Sequence, residues 1–207
     1  MKKVVITIER QYGSGGRTVG EMLANELGIH YYNKELVVLA SEKSGISEDL
    51  FRKADERIAK RGGIFSRSTR LYEGKLIGPD SPEFTSEANL FNYQAAVIKE
   101  LADRESCVII GRAANFILRG RDDVLSVFVH APYEFLMREA GKKQPLTGLE
   151  LEEYIENADH VKASYYHYYT GEKWDDARNY DLCLNSGKLG FEKTVQAIKA
   201  YMDVRFN

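Results

Sequence analysis

The segment Ile6-Thr-Ile-Glu-Arg-Gln-Tyr-Gly-Ser-Gly-Gly-Arg-Thr18 carries the residue types and spacing needed to hold a phosphate chain. It runs from an apolar strand through a glycine-rich turn straight into a helix. Glycines at 13, 15 and 16 let main-chain amides approach a ligand, and Ser14 and Thr18 add hydroxyls. Arg17 adds a fixed cation. A helix opening near Arg17 points unpaired N–H groups and its positive dipole end at the same spot. Such a turn binds a polyphosphate, or else it only lets a helix pack closely on a strand. The strict phosphate-loop pattern G-x-x-x-x-G-K-[ST] is not met, because Gln11 stands at the first glycine when Arg17 is set on the lysine.

Other candidates lie further along the chain. Arg112 follows the apolar run Cys107–Ile110, at a strand's carboxyl end, where ligands gather in open α/β sheets. Asn33 follows the run Ile29–Tyr32 and is either a ligand contact or the N-cap of the next helix. Arg138, Lys142, Lys143 and Lys162 could converge on a transferring phosphoryl group, with Asp159 three residues before Lys162 on one helix face. The same charges would also suit a solvated face. The run Tyr165-Tyr-His-Tyr-Tyr169 reads as core or interface packing. His167 has no partner at metal-ligand spacing, and no Ser/His/Asp or Cys/His nucleophile is legible.

These residues need a scaffold, and the pattern supplies one. Five apolar runs predict strands at Val4–Ile8, Ile29–Tyr32, Cys107–Ile110, Val124–Val129 and Asp181–Leu184. Helical spacing predicts helices over Val19–Leu27, Glu35–Glu42, Glu48–Lys60, Glu87–Arg104, Tyr133–Glu139, Leu149–Tyr169 and Gly190–Val204. The alternation implies a mostly parallel sheet covered on both faces, a three-layer α/β/α domain with the first strand central. Two irregular stretches interrupt it. Residues 61–84 predict a long mobile excursion, and 141–148 a lid between two helices.

Composition narrows the function. A chain of 207 residues with net charge −2 predicts one domain that binds neither nucleic-acid polymers nor membrane surfaces. No apolar run reaches the roughly 18 residues that span a bilayer, and the Met-Lys-Lys start leads directly into a strand, so a cytoplasmic protein is expected. Cys107 and Cys183 both fall in apolar runs and are expected to be buried free thiols.

The N-terminal loop, Tyr31-Tyr-Asn-Lys-Glu35, Ile109-Ile-Gly-Arg-Ala-Ala-Asn115, Val127-Phe-Val-His-Ala-Pro132, Tyr165–Gly171 and Asn179–Asn185 together resemble the cytidylate-kinase-like family. The resemblance spans nearly the whole chain. It implies a phosphate-loop fold of the nucleoside-monophosphate-kinase branch, with a five-stranded parallel sheet and a helical lid. It also implies ATP and Mg²⁺ as cofactors, nucleotide substrates with CMP or dCMP first, and Thr18 on the metal side. Arg112 would look toward the monophosphate, Asn33 toward the acceptor pocket, and Arg17, Arg138 and Lys162 would be the catalytic cations. Homo-oligomers are compatible with it.

A gap-free match to true cytidylate kinases sets Gly13 and Gly15 on loop glycines and Gly16 on the loop lysine, with Arg17 one residue late. Ala113 replaces the aspartate that follows the Gly-Arg pair. These departures allow two alternatives: a nucleotide-binding regulatory protein with little transfer activity, and a kinase of another small metabolite.

Overall fold

A computed structural model describes residues 3–60, 72 and 74–206. Strand β1 (Val5–Arg10) leads into helix α1 (Gly16–Leu27), then β2 (His30–Tyr32), α2 (Glu35–Ser44) and α3 (Glu48–Lys60). Helix α4 (Glu87–Arg104) precedes β3 (Cys107–Ile110), the single turn α5 (Ala114–Ile117) and β4 (Val124–His130). Helices α6 (Tyr133–Gly141) and α7 (Gly148–Thr170) follow, then β5 (Leu182–Asn185), a second single turn α8 (Ser186–Leu189) and α9 (Phe191–Phe206).

The five strands form one parallel sheet in the order β2-β3-β1-β4-β5, so β1 is central as the sequence predicts. Its alternation sorts the core into two layers. Ile6 and Ile8 join Val108, Ile110, Val127 and Val129 under α1 and α9. Val5 points the other way, into a larger core built by α2, α3, α4 and α7. Ile6 and Ile8 are fully buried, and each contributes about 1.5–3 kcal/mol.

β1 runs two residues beyond the predicted end at Ile8, because Glu9 and Arg10 continue the pairing with Phe128 and Val129 of β4. A charged pair is thereby carried to the carboxyl end of the central strand. The single-turn helices α5 and α8 were not predicted, being too short for a periodic signal.

One expectation fails at the thiols. Cys107 is buried in β3, and its thiol is pushed up to about 12 by burial, but Cys183 is exposed. β5 is an edge strand whose Leu182 and Leu184 face the α1/α9 core, which turns Cys183 outward.

Residues 61–71 and 73 of the predicted excursion lie outside the described residues. The stretch 75–84 lies against α4. Buried Asn89 bonds Ile77 through both its amide oxygen and nitrogen and reaches the Phe84 carbonyl, while Asn92 donates to the Lys75 carbonyl. Among the described residues, no helix is long and apolar enough to cross a membrane.

Candidate phosphate and acceptor sites

The turn after β1 is clamped from behind. Gly13 and Gly15 have positive φ, 82° and 77°, a region in which a side chain is strained. A Cβ on Gly13 would stand 2.5 Å from the Leu136 carbonyl oxygen, and one on Gly15 would stand 2.2 Å from the Phe191 ring. The side-chain positions of these two glycines are therefore filled by α6 and α9. Buried Ser14 donates its hydroxyl to the Gln11 carbonyl at 2.8 Å, and its own carbonyl accepts from the Ser186 hydroxyl at 2.6 Å. These two bonds tie the turn to its own start and to α8.

Helix α1 opens with Gly15 as an N-cap that offers no side-chain bond. The Val19 N–H bonds the Gly15 carbonyl at 2.9 Å. The N–H groups of Gly13, Gly15, Gly16, Arg17 and Thr18 find no acceptor among the described residues. Orphan donors at a helix start are satisfied by side chains, water or an anionic ligand.

Above this turn lies a small cavity of about 90 Å³, lined by Arg10, Gln11, Tyr12, Gly13, Gly15, Gly16, Arg17, Lys143 and Lys162. Four of these residues are cations and none is a carboxylate. Arg17 and Lys143 have no acidic partner among the described residues.

Lys162 is held by Asp159, whose Oδ1 accepts from the Lys162 ammonium and from the Tyr12 N–H, each at 2.7 Å. One carboxylate of α7 thus joins that helix to the turn. Burial pulls Lys162 below the usual lysine range, with Asp159 opposing. Tyr12 packs edge-on to Tyr154, and Gln144 of the connection between α6 and α7 donates to both hydroxyls.

A larger cavity of about 440 Å³ opens beside the first and shares Arg10, Tyr12, Arg17 and Lys162 with it. Its far wall carries Asn33, Lys34, Asp55, Arg112, Asn157 and Tyr165. Gly111, Arg112 and Ala113 take three consecutive left-handed conformations, with φ of 72°, 61° and 53°. For the two non-glycine residues this costs of order 1–3 kcal/mol each. The turn holds because the buried Glu9 carboxylate accepts the Ala113 N–H at 3.3 Å and the Trp174 indole N–H at 3.1 Å.

Arg112 meets Asp55 of α3 at 2.5 Å and lies over the Tyr165 ring at 5.4 Å. Burial raises the Asp55 carboxyl above the usual range even against Arg112. The Tyr165 hydroxyl is buried beside Arg112 and finds no well-aligned hydrogen-bond partner among the described residues.

The structure brings Gly13, Gly15, Gly16, Arg17 and Lys162 to the small cavity, and Arg112 and Asn33 to the larger one. Ser14 lies behind the turn. Thr18 is half-buried in the first turn of α1, lines neither cavity, and has a hydroxyl unbonded to any described residue. Asn33 does not cap α2. Lys34 holds the cap position, and the Asn33 N–H donates to Glu35 instead.

Arg138 is not brought in. Its exposed guanidinium pairs with Glu139 at 3.3 Å and lies over Phe135, and it lines neither cavity. Sequence reasoning missed Arg10, Glu9, Asp55 and the Tyr12–Tyr154 pair. The legible signal for the first two was a charged pair directly after a run buried on both faces, a position that parallel sheets reserve for ligands.

A model described as the cytidylate kinase-like family matches residues 5–188. No curated protein sequence matches the chain. An uncharacterized protein from Eubacterium ventriosum shares 23% identity with a TM-score of 0.71, covering 98% of this chain and 100% of that one. Shikimate kinase from Bacteroides thetaiotaomicron shares 18% identity with a TM-score of 0.54, covering 97% and 98%. At these identities the likeness speaks to the fold.

Proposed function

The chain belongs to the cytidylate kinase-like family, and on that premise we propose that it transfers a phosphoryl group from Mg²⁺-ATP to a nucleoside monophosphate, CMP or dCMP first. The observation that carries this reading is the cavity over the Gly13–Thr18 turn, with four cations, no carboxylate and a row of unpaired amides. That chemistry fits a polyphosphate.

The turn amides, Arg17, Lys143 and Lys162 would hold the donor phosphates, and Thr18, whose hydroxyl is uncommitted, would serve the metal side. Bound Mg²⁺-ATP supplies the phosphoryl group. The residues of the chain bind, orient and exclude water. They stabilise charge on the phosphoryl oxygens, and no covalent enzyme intermediate is needed.

On the acceptor side, Arg112 supplies the cation, Tyr12, Tyr154 and Tyr165 supply aromatic surface, and Asn33 and Asn157 supply amide donors and acceptors. The volume of about 440 Å³ lies within the range of small-molecule sites.

A second acceptor class is favoured by one observation. Asp55 already occupies Arg112, so the acceptor wall presents a carboxylate, which suits a hydroxyl-bearing metabolite better than a second phosphate. A coupled ADP-release assay across CMP, dCMP, other monophosphates and small alcohols separates the readings. Turnover with monophosphates supports the first, and turnover with an alcohol alone supports the second. Mg²⁺-ATP binding without turnover on any acceptor would replace both with a regulatory nucleotide-binding role.

A further inference from the structure

We propose that Arg10 is the cation that faces the transferring phosphoryl group, placed between the donor turn and the acceptor wall by the end of the central strand. The inference rests on the phosphotransferase reading above.

Arg10 leaves the α1 face of β1 and runs beneath the turn. A Cβ on Gly16 would stand 2.5 Å from Arg10 Cβ, 2.9 Å from its Cγ and 3.3 Å from Val129 Cβ. The space of a side chain at position 16 is therefore filled by the Arg10 stem. Gly16, unlike Gly13 and Gly15, has no positive φ, so its backbone does not demand glycine. The arginine does.

At its far end, Arg10 Nη1 lies 2.6 Å from where a Cβ on Gly111 would be, so one side chain spans the distance from the donor turn to the end of β3. It lines both cavities.

Arg10 is also short of partners. Its side chain is 11% exposed, yet it donates no hydrogen bond to any described residue. Its carboxylate neighbour among the described residues, Glu9, stands 3.6 Å away and accepts from Ala113 and Trp174. A guanidinium carries five donors, and those of Arg10 face the two cavities it lines instead of acceptors among the described residues. The geometry leaves these donors for an oxyanion reached from either cavity.

During transfer the acceptor oxygen bonds to the γ-phosphorus as the bond from phosphorus to the β,γ-bridging oxygen breaks, and ADP departs. Arg10 gives and takes no proton. It neutralises charge on the non-bridging oxygens.

The test compares wild type with Arg10→Met, which keeps the stem and removes the charge. It adds Gly16→Lys, and the exchange variant Arg10→Ala with Gly16→Lys, which moves a cation into the vacated volume. Inorganic tripolyphosphate affinity by calorimetry, far-UV circular dichroism and single-turnover transfer are measured on each. Arg10→Met should fold and lose about ten- to a hundredfold in tripolyphosphate affinity. Gly16→Lys alone should lose as much or misfold, because Arg10 blocks the new side chain, and the exchange variant should regain at least tenfold over Arg10→Met.

A folded Arg10→Met that binds like wild type overturns the assignment, as does a folded exchange variant that regains nothing. Wild type that binds no polyphosphate overturns the phosphotransferase reading as well, so the two failures are told apart.

Discussion

Asp159 is the residue through which α7 holds the turn after β1, and its removal costs stability. Its Oδ1 takes the Tyr12 N–H and the Lys162 ammonium at 2.7 Å each. A hydrogen bond between a main-chain N–H and a carboxylate contributes about 1.5–3 kcal/mol. The ion pair, with both side chains 19% exposed, adds up to about 1 kcal/mol. Asp159→Ala should therefore lose about 1.5–4 kcal/mol, read as a lower urea midpoint at unchanged slope. Asp159→Asn keeps an acceptor for the Tyr12 amide and should lose about half as much.

A functional signature accompanies the loss. Burial already pulls Lys162 below the usual lysine range, and Asp159 is the main influence opposing it. Without Asp159 the pKa falls further. Lysine is charged below its pKa, so the share of tripolyphosphate affinity owed to Lys162 is present at lower pH and lost as pH rises through that pKa. In Asp159→Ala the loss should set in at lower pH than in wild type. Asp159→Ala within about 0.5 kcal/mol of wild type, the scale of an ordinary surface change, with an unmoved pH profile would refute the reasoning.

Arg17, exposed beside the turn, should weaken Mg²⁺-ATP binding by about ten- to a hundredfold when changed to alanine, while Arg17→Lys recovers part of that because it restores charge without the bidentate fork. Equal affinities by calorimetry across the three proteins would mean that the amides bind alone. Glu105 ties β2 to the end of α4: burial would raise its carboxyl, but contacts from Arg104, Tyr32 and His30 outweigh that and hold it at about 2. A depressed carboxylate contributes stability above its unfolded pKa of about 4.3 and loses it as pH falls through the folded value. Glu105→Gln should therefore flatten the decline of the urea midpoint between roughly pH 5 and pH 2, by no more than about 1 kcal/mol after solvent screening; an unchanged slope would remove Glu105 from that role.

Four of the five strands were legible because each is a short run rich in valine, isoleucine or leucine, while the edge strand His30-Tyr-Tyr32 carries none. Val5 to Ile8 could be read without knowing a single neighbour. Position along the chain did not tell which distant residues share a cavity. Asp55 sits on an exposed-looking amphipathic helix, and its charge is indistinguishable in sequence from those of Asp49 and Glu56, which pair on the surface with Arg52. Only the packing of α3 against α7 brings Asp55, and not its neighbours, to Arg112. Arg138 shows the opposite limit: its place in sequence just before the connection from α6 to α7 does not tell that its side chain is exposed beside Glu139.

The glycines show how a correct reading can rest on the wrong cause. Gly13 and Gly15 mark a turn in any reading, yet the atoms that forbid a side chain there belong to Leu136 and Phe191, more than a hundred residues away. Gly16 is glycine because of Arg10, six residues earlier. Had position 16 carried a long side chain, Arg10 could not follow its present path, so the two positions form one choice about where a cation enters the site. Read separately, they look like a defective phosphate loop and an ordinary strand end. Read together, they are one way of delivering a positive charge to the same few ångströms from the strand instead of the helix. Any substitution at either position must therefore be judged on the pair, by the volume that the other side chain leaves.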